Sequence, residues 1–361
     1  MTSKRIHLAL LLQDLEFGGT QRYAINLLKH LDRDRFDPEL WVLRGGNDMV
    51  LLAESTGTRI VRFSEELSMG PKAVCRLLGH LLRSRPQILY TLTVVPNIWG
   101  RVFGSAVRVP VVVGSLRNRV ARQFDRWLWR LNDCMIVNAE SLKQLLAEDF
   151  AVAPDRVEVI PNGVDTEYFV PDPSRRSKHP SLIYVGRLVE QKDPFTLLKA
   201  FRLVVQEIPS ATLVMLGNGH LRTEIDEFLR TDSLESSVRV CNGTDDIRPY
   251  LREAWAFVLP SVFEGSPNVV MEAMAGGLPI VSTRVDGVPE LIEDYETGFM
   301  VEPRNPEALA EAVIKVLSDG EKCREMGLNA REKVIREYSI EGMARRTERV
   351  FLDAAKRAGI G

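Results

Sequence analysis

Two glutamates, Glu264 and Glu272, stand eight positions apart in "VFEGSPNVVMEAMAGGLPIVS" (262–282), with a Ser-Pro break and a short apolar run between them. Carboxylates so placed can serve as a catalytic acid/base pair, as two binding contacts, or as surface charge. The break bears on the choice. A strand ends near Pro260, Ser266 can cap a helix, and Pro267 suits the helix's first position. The helix runs through Ala275 and stops at Gly276-Gly277. The backbone of Ser266, Pro267, Asn268 and Val269 therefore opens the helix, and its first-turn N–H groups, with the helix dipole, favour an anion such as phosphate. Glu272 lies about 7.5 Å down the axis from Pro267, its side chain leaning back toward the N-terminus. That offset disfavours the roughly 5–5.5 Å of a retaining glycosidase pair and leaves the roughly 6.5–9.5 Å of an inverting pair open. Carboxylates that accept from hydroxyls on either side of a phosphate fit better. A nucleotide sugar, with ribose, diphosphate and sugar in line, has that layout. The competing reading is a proline-started helix with one exposed glutamate.

A second group stands in "YVGRLVEQKDP" (184–194), where Arg187 and Lys192 are five apart across a turn and Asp193-Pro194 opens the next helix. Two cations at a strand's carboxyl end can grip a diphosphate and offset the charge that grows as it departs; the alternative is a solvated basic loop. In "GGTQRY", Gly18 and Gly19 permit close backbone approach to a ligand at a helix start, or form a plain turn. They do not make the Gly-x-Gly-x-x-Gly dinucleotide fingerprint, which disfavours a nicotinamide dehydrogenase. "MLGNGHL" (215–221) ends another strand with glycines, and Gly217 would suit a flat base lying against backbone.

The elements that must position these loops repeat twice. Strand candidates "IHLALLL", "PELWVL", "RIVRF", "QILYTL", "VPVVVGS" and "CMIVNA" alternate with helix candidates 20–31, 71–83 and 140–148. The proline- and charge-rich "VPDPSRRSKHPS" (170–181) has linker composition. The alternation then restarts with "LIYVGR", "ATLVMLG", "VRVCN", "AFVLPS" and "PIVST", separated by helices 194–206, 220–230, 246–253 and 267–275, before a helical C-terminal run. Apolar strands separated by helices imply parallel sheets covered on both faces. The expected organisation is an N-terminal domain over 1–170, a C-terminal domain over 171–340, and a last helix over 341–361 packing back on the first domain. Ligands in such sheets bind beyond the strands' carboxyl ends, and two facing sheets would put a cleft between the domains.

Bulk properties agree. At 361 residues the chain exceeds one ordinary core, and a net charge of −2 argues against a general polyanion binder, hence against a nucleic-acid partner. The basic, apolar N-terminus lacks a small-residue cleavage site and reads as a buried first strand. No window is apolar enough to span a membrane. Cys75, Cys134, Cys241 and Cys323 are scattered, which fits reduced thiols in a cytoplasmic protein and no zinc site.

Taken together, "EGSPNVVME" resembles the Glu-x7-Glu motif of the retaining glycosyltransferases of family 4, which have the GT-B fold of two doubly wound Rossmann-like domains facing across a cleft. "GRLVEQKDP" is similar to their phosphate-binding loop, "IPNGVDTEYF" (160–169) to the segment ending their first domain, and "FGGT" to their first glycine loop. The resemblance implies a transfer from a nucleoside-diphosphate sugar, UDP- or GDP-linked, to a glycan or lipid-linked acceptor in cell-surface polysaccharide or glycolipid synthesis. Anomeric configuration would be retained, by front-face attack, without metal or cofactor. Glu264 would contact the donor sugar, the 266–269 backbone its distal side, and Glu272 the ribose. Arg187 and Lys192 would stabilise the leaving diphosphate, and Gly19 would approach the donor phosphate or the acceptor. Asp32 and Asp34 of "DRD" follow a helix and read as a charged turn rather than a metal motif. One departure stands out: where many relatives place a histidine, this chain has Arg117 or Asn118, which makes these two candidates for the acceptor or the reaction centre. Gln21 likewise stands where relatives often carry glutamate.

Within the acceptor domain, "RNRVARQFDRWLWRLND" (117–133) combines five arginines with Phe124, Trp127 and Trp129. It suits peripheral contact with the cytoplasmic face of an inner membrane, or else a helix with its tryptophans packed inside. Competing functions are a GT-B-fold sugar-nucleotide epimerase and a non-catalytic nucleotide-sugar-binding subunit.

Overall fold

The computed structural model describes residues 5–117, 125–244 and 246–360. The chain forms two compact units, Met1–Gly163 with Ile340–Gly361, and Val164–Ser339.

The first unit holds a parallel sheet of β1 (Ile6–Leu12), β2 (Phe36–Val42), β3 (Arg59–Arg62), β4 (Ile88–Thr91), β5 (Val111–Leu116), β6 (Cys134–Val137) and β7 (Val157–Val159) in the order β3-β2-β1-β4-β5-β6-β7. Side chains along a strand alternate between faces, and β1 feeds two cores. Leu8, Leu10 and Leu12 pack with Tyr23, Leu27 and Leu28 of helix Gly19–His30, whereas Ala9 and Leu11 pack with Leu77 and Leu81 of helix Pro71–Ser84. Such burial on both faces is why "LALLL", Leu8–Leu12, runs apolar without alternation.

The last helix, Ile340–Arg357, belongs to the first core: Thr347 Oγ1 lies 3.1 Å from Tyr23 OH, and Phe351 meets the edges of Phe36 and Tyr90. The crossing from the first unit falls at Gly163–Val164, before the proline-rich stretch expected to carry it. Backbone pairing sets this point, because Val164 N donates to Tyr338 O at 2.8 Å and Val164 bridges Ser339. The 170–181 stretch is part of the second unit, with Ser177 N donating to Glu253 O at 2.9 Å.

The second unit's sheet is also parallel, with β8 (Ser181–Val185), β9 (Thr212–Leu216), β10 (Val238–Cys241), β11 (Ala256–Leu259), β12 (Ile280–Thr283) and β13 (Gly298–Val301) in the order β10-β9-β8-β11-β12-β13. One continuous core joins the sheet to helices Pro194–Glu207, Asn268–Ala275 and Pro306–Leu317. No helix among the described residues is long and apolar enough to cross a membrane. All four cysteines are free; burial pushes the Cys134 thiol up to about 12 and the Cys323 thiol up to about 11.

Helix Val94–Ala106 went unanticipated because Pro96, Gly100 and Gly104 interrupt its pattern. The two glycines let it lie against the sheet: a Cβ on Gly100 would fall 2.4 Å from Thr91 Cγ2, and one on Gly104 3.1 Å from Leu89 Cδ2. Gly79 is the opposite case, a mid-helix glycine whose added Cβ meets nothing within 4 Å. Gly79→Ala should therefore raise stability by about 0.5–1 kcal/mol, read as a higher urea midpoint; a lowered midpoint would contradict the open geometry.

Candidate active site

In the second sheet the strand order reverses between β8 and β11, and ligands of open α/β sheets bind outside the carboxyl ends at such a reversal. The loop after β8 carries Arg187 and Lys192, and the loop after β11 carries Glu264. Lys192 Nζ donates to Glu264 Oε1, and Ser261 Oγ reaches the same oxygen at 2.6 Å. The side chains of Lys192 and Glu264 are only 13% and 8% exposed, so each charge depends on the other for its stability. The loops are also stitched through Gln191. Val262 N donates to Gln191 O at 2.9 Å, Gln191 Nε2 to Phe263 O at 3.0 Å, and Arg187 Nη2 to Gln191 Oε1 at 3.2 Å. Asp193 caps helix Pro194–Glu207, accepting from Thr196 N at 3.3 Å and Thr196 Oγ1 at 2.7 Å.

Asp286 is a participant that sequence reasoning missed. It sits in the left-handed region at φ 43, and its Oδ2 accepts from Glu264 N at 2.8 Å. Its position after β12 was the available signal, since it too follows a strand's carboxyl end. Burial pushes the Tyr184 hydroxyl well up, with Glu264 adding to the effect, so it stays protonated and donates to Arg187 O at 3.0 Å. That bond fixes the turn bearing Arg187.

The helix after Glu264 begins one residue later than the sequence suggests. Asn268–Ala275 is helical, Pro267 is its N-cap with extended ψ 109, and no side chain caps it. Ser266 is therefore not the cap; the proline takes that place and pushes the serine outside the helix. The amides of Asn268 and Val269 are the first of the helix, and anions are favoured at that end. Glu272 is buried at 6% exposure and Glu264 at 8%, so neither is ordinary surface charge. At the other end of the helix, Arg331 donates to Ala275 O, to Phe169 O at 2.8 Å and to Thr166 O at 3.1 Å.

Gly217 has a structural duty beyond what its sequence context suggests. A Cβ there would stand 1.9 Å from Gly186 O, and one on Gly219 2.1 Å from Leu188 O. Both glycines let the 217–219 loop press against the loop that holds Arg187.

In the first unit, order reverses between β1 and β4, and a pocket of about 140 Å³ lies there. It is lined by Asp14, Gln21, Thr93, Asn97, Ser115 and Arg117, among others. Gly18 is the N-cap of helix Gly19–His30, so Gly18 and Gly19 stand at the pocket's edge, beside Thr20 and Gln21. A Cβ on Gly18 would come 2.3 Å from Gln21 Oε1. Asp14, which sequence reasoning also missed, accepts from Arg44 Nη2 at 2.8 Å, Arg44 Nε at 3.0 Å and Gln21 Nε2 at 2.8 Å. Arg117 closes the pocket at the end of β5. Asn118, Phe124 and Arg122 lie outside the described residues. Of the two tryptophans, Trp129 is buried against Met135, Val137 and Leu142, whereas Trp127 is 71% exposed.

Known proteins share both halves. The family model described as "Glycosyl transferases group 1" matches residues 166–333, and that described as "Glycosyltransferase Family 4" matches residues 17–168. One relative is an Escherichia coli UDP-Gal:alpha-D-GlcNAc-diphosphoundecaprenol alpha-1,3-galactosyltransferase, 25% identical over 93% of this chain and 94% of its own length. Another is a Mycobacterium tuberculosis glycogen synthase, 27% identical over 89% of this chain and 77% of its own. Among solved structures, Anabaena HepE in complex with UDP and glucose superposes with a TM-score of 0.86 at 18% identity, covering 97% of this chain and all of its own.

Proposed function

This chain belongs to the group 1 glycosyl transferases, with the GT-B fold, and from that premise we propose that it is a retaining transferase using a UDP- or GDP-linked sugar. The observation that carries this reading is the Lys192–Glu264 pair at the switch point of the second sheet, beside the start of helix Asn268–Ala275. A lysine ammonium has three N–H donors. Glu264 takes one, and the others are available to phosphate oxygens of the donor. Arg187, held by Gln191, supplies the second cation. Glu264 Oε2 and the 267–269 backbone then face the donor sugar, while Glu272 receives the ribose hydroxyls.

In the reaction, the bond from the sugar's anomeric carbon to the phosphate oxygen breaks as the acceptor hydroxyl oxygen bonds to that carbon on the same face. The acceptor's proton passes to the departing phosphate oxygen. Lys192 and Arg187 offset the charge that develops on the diphosphate, a task that two fixed cations can perform without a metal ion. Gly19, at the start of helix Gly19–His30, would bring backbone to the acceptor. The acceptor is a glycan or lipid-linked sugar, by likeness to relatives that include the undecaprenol-linked galactosyltransferase and a transferase of lipopolysaccharide core biosynthesis. Such a carrier would be met at the cytoplasmic face of a membrane, where exposed Trp127 offers a contact.

Thermal unfolding across a panel of UDP- and GDP-sugars tests the donor. One series should raise the midpoint with concentration, as a ligand of the native state must, and the same sugar nucleotide should yield free nucleoside diphosphate with an acceptor extract. A protein stabilised by neither series, and releasing no diphosphate, is not this enzyme.

A further inference from the structure

We propose that the first unit's pocket takes an anionic group of the acceptor, a phosphate or a sugar carboxylate, and that Arg117 selects for it. The inference rests on the transferase reading, because the donor's diphosphate is assigned there to Arg187 and Lys192 of the other unit.

Charge balance in the pocket carries the argument. Arg117 Nε donates to Ser115 Oγ at 3.1 Å, Nη1 to Asn162 Oδ1 at 2.6 Å and Nη2 to Tyr90 OH at 3.2 Å. Its guanidinium carbon lies 3.3 Å from the centre of the Tyr23 ring. None of these partners carries a negative charge; burial pushes the Tyr90 hydroxyl well up, with Tyr23 adding to the effect, so it remains neutral. The pocket's one carboxylate among the described residues is Asp14, and Arg44 already holds it through two nitrogens. Arg117 is thus a half-buried cation without a carboxylate partner among the described residues, and a guanidinium has five N–H donors, more than these three acceptors use.

Two helices strengthen the same sign. Gly19–His30 and Val94–Ala106 both open at the pocket, neither with an acidic residue in its first turn nor with a side-chain cap. Their positive ends are therefore not offset by their own side chains. Between them stands Thr93, a β-branched residue held at φ 72, its Oγ1 buried with no hydrogen-bond partner among the described residues. Strain of this kind persists where surrounding structure enforces it, and it clusters at ligand sites. A cavity of about 140 Å³ suits one compact anionic group rather than a whole acceptor.

The test titrates inorganic phosphate, glucuronate and neutral methyl glucoside against the full chain with the donor's nucleoside diphosphate saturating, reading the unfolding midpoint against matched chloride. Phosphate or glucuronate should stabilise the wild type, and whichever does so identifies the source as a phosphorylated carrier or an acidic sugar. Arg117→Gln should weaken that response by about 10–100-fold, the range of a lost charge-assisted contact, and Arg117→Lys should retain part of it. Nucleotide affinity should stay unchanged in both. An anion response equal in Arg117→Gln and wild type, or no response beyond chloride, overturns the proposal, as does an equal response to methyl glucoside. If Arg117→Gln fails to fold, the lysine variant decides by the same criterion. The phosphate arm is also run in Lys192→Ala without nucleotide, so failure of nucleotide to bind would count against the donor reading and leave this one independently readable.

Discussion

Lys192→Ala is expected to lower kcat by about 100–1,000-fold, the range seen when a fixed electrostatic group is removed from a developing negative charge. The expectation comes from the pair with Glu264, because both side chains are largely withdrawn from water and Glu264 lies just before the start of an anion-favouring helix in the chain. Alanine there has a second consequence. It leaves Glu264 buried with Ser261 Oγ at 2.6 Å but without its cation, and an orphaned buried charge costs about 3–5 kcal/mol when nothing relaxes. The two effects separate in the double variant Lys192→Ala with Glu264→Gln. Removing the unpaired charge should recover most of the lost stability, measured by urea unfolding, and none of the turnover. Lys192→Arg, which keeps the charge, should fall between. Lys356→Ala, an exposed lysine on the last helix, should leave turnover within about twofold of wild type, as surface substitutions usually do. Near-normal turnover in Lys192→Ala would remove the lysine from the leaving-group role, whatever its stability.

How much of this was legible in sequence depends on the distance over which each feature is encoded. Most strands are legible because burial makes them short apolar runs, as in "IHLALLL" and "AFVLP", which form β1 and β11, whereas the edge strands β7, interrupted by Glu158, and β13, opened by Gly298, are not. The loop residues Arg187, Lys192 and Glu264 are legible as well, since each lies just beyond such a run. The pairing of Lys192 with Glu264 is not, because 72 residues separate them and only the β8–β11 neighbour relation joins their loops. The Asp14–Arg44 pair is hidden for the same reason, thirty residues apart on the loops after β1 and β2. Helix Val94–Ala106 is disguised by glycines that serve packing rather than helix propensity. The helix start at 268 departs from local preference, which puts serine at the cap and proline at the first position, because Pro267 is extended at ψ 109 and takes the cap position itself.

Gly217→Ala should damage both stability and turnover, in contrast to the gain expected from Gly79→Ala. The added Cβ would stand 1.9 Å from Gly186 O and 2.9 Å from Gly186 C, with Arg187 N at 3.7 Å. All three are backbone atoms, so no rotamer change relieves the contact. Gly186 is itself tied to the sheet, its N–H donating to Leu216 O at 3.0 Å, and Gly217 N donates to Cys241 O at 3.0 Å. The 217 loop cannot withdraw without breaking its bond to β10, and the 186 loop cannot without breaking its bond to β9. Whichever moves, the turn holding Arg187 is displaced, and the Gln191 bonds to Val262 and Phe263 are strained with it. Overpacking of this kind costs about 1–3 kcal/mol or more, seen as a lower urea midpoint. A misplacement near 1 Å can reduce catalysis by about 100-fold, so kcat should fall together with donor affinity. If glycine were there chiefly to let a flat base lie on the backbone, the loss would fall on donor KM with stability and kcat nearly intact. A combined loss of stability, kcat and affinity is the signature of a loop-to-loop contact, and it distinguishes scaffolding of the cation turn from direct base recognition.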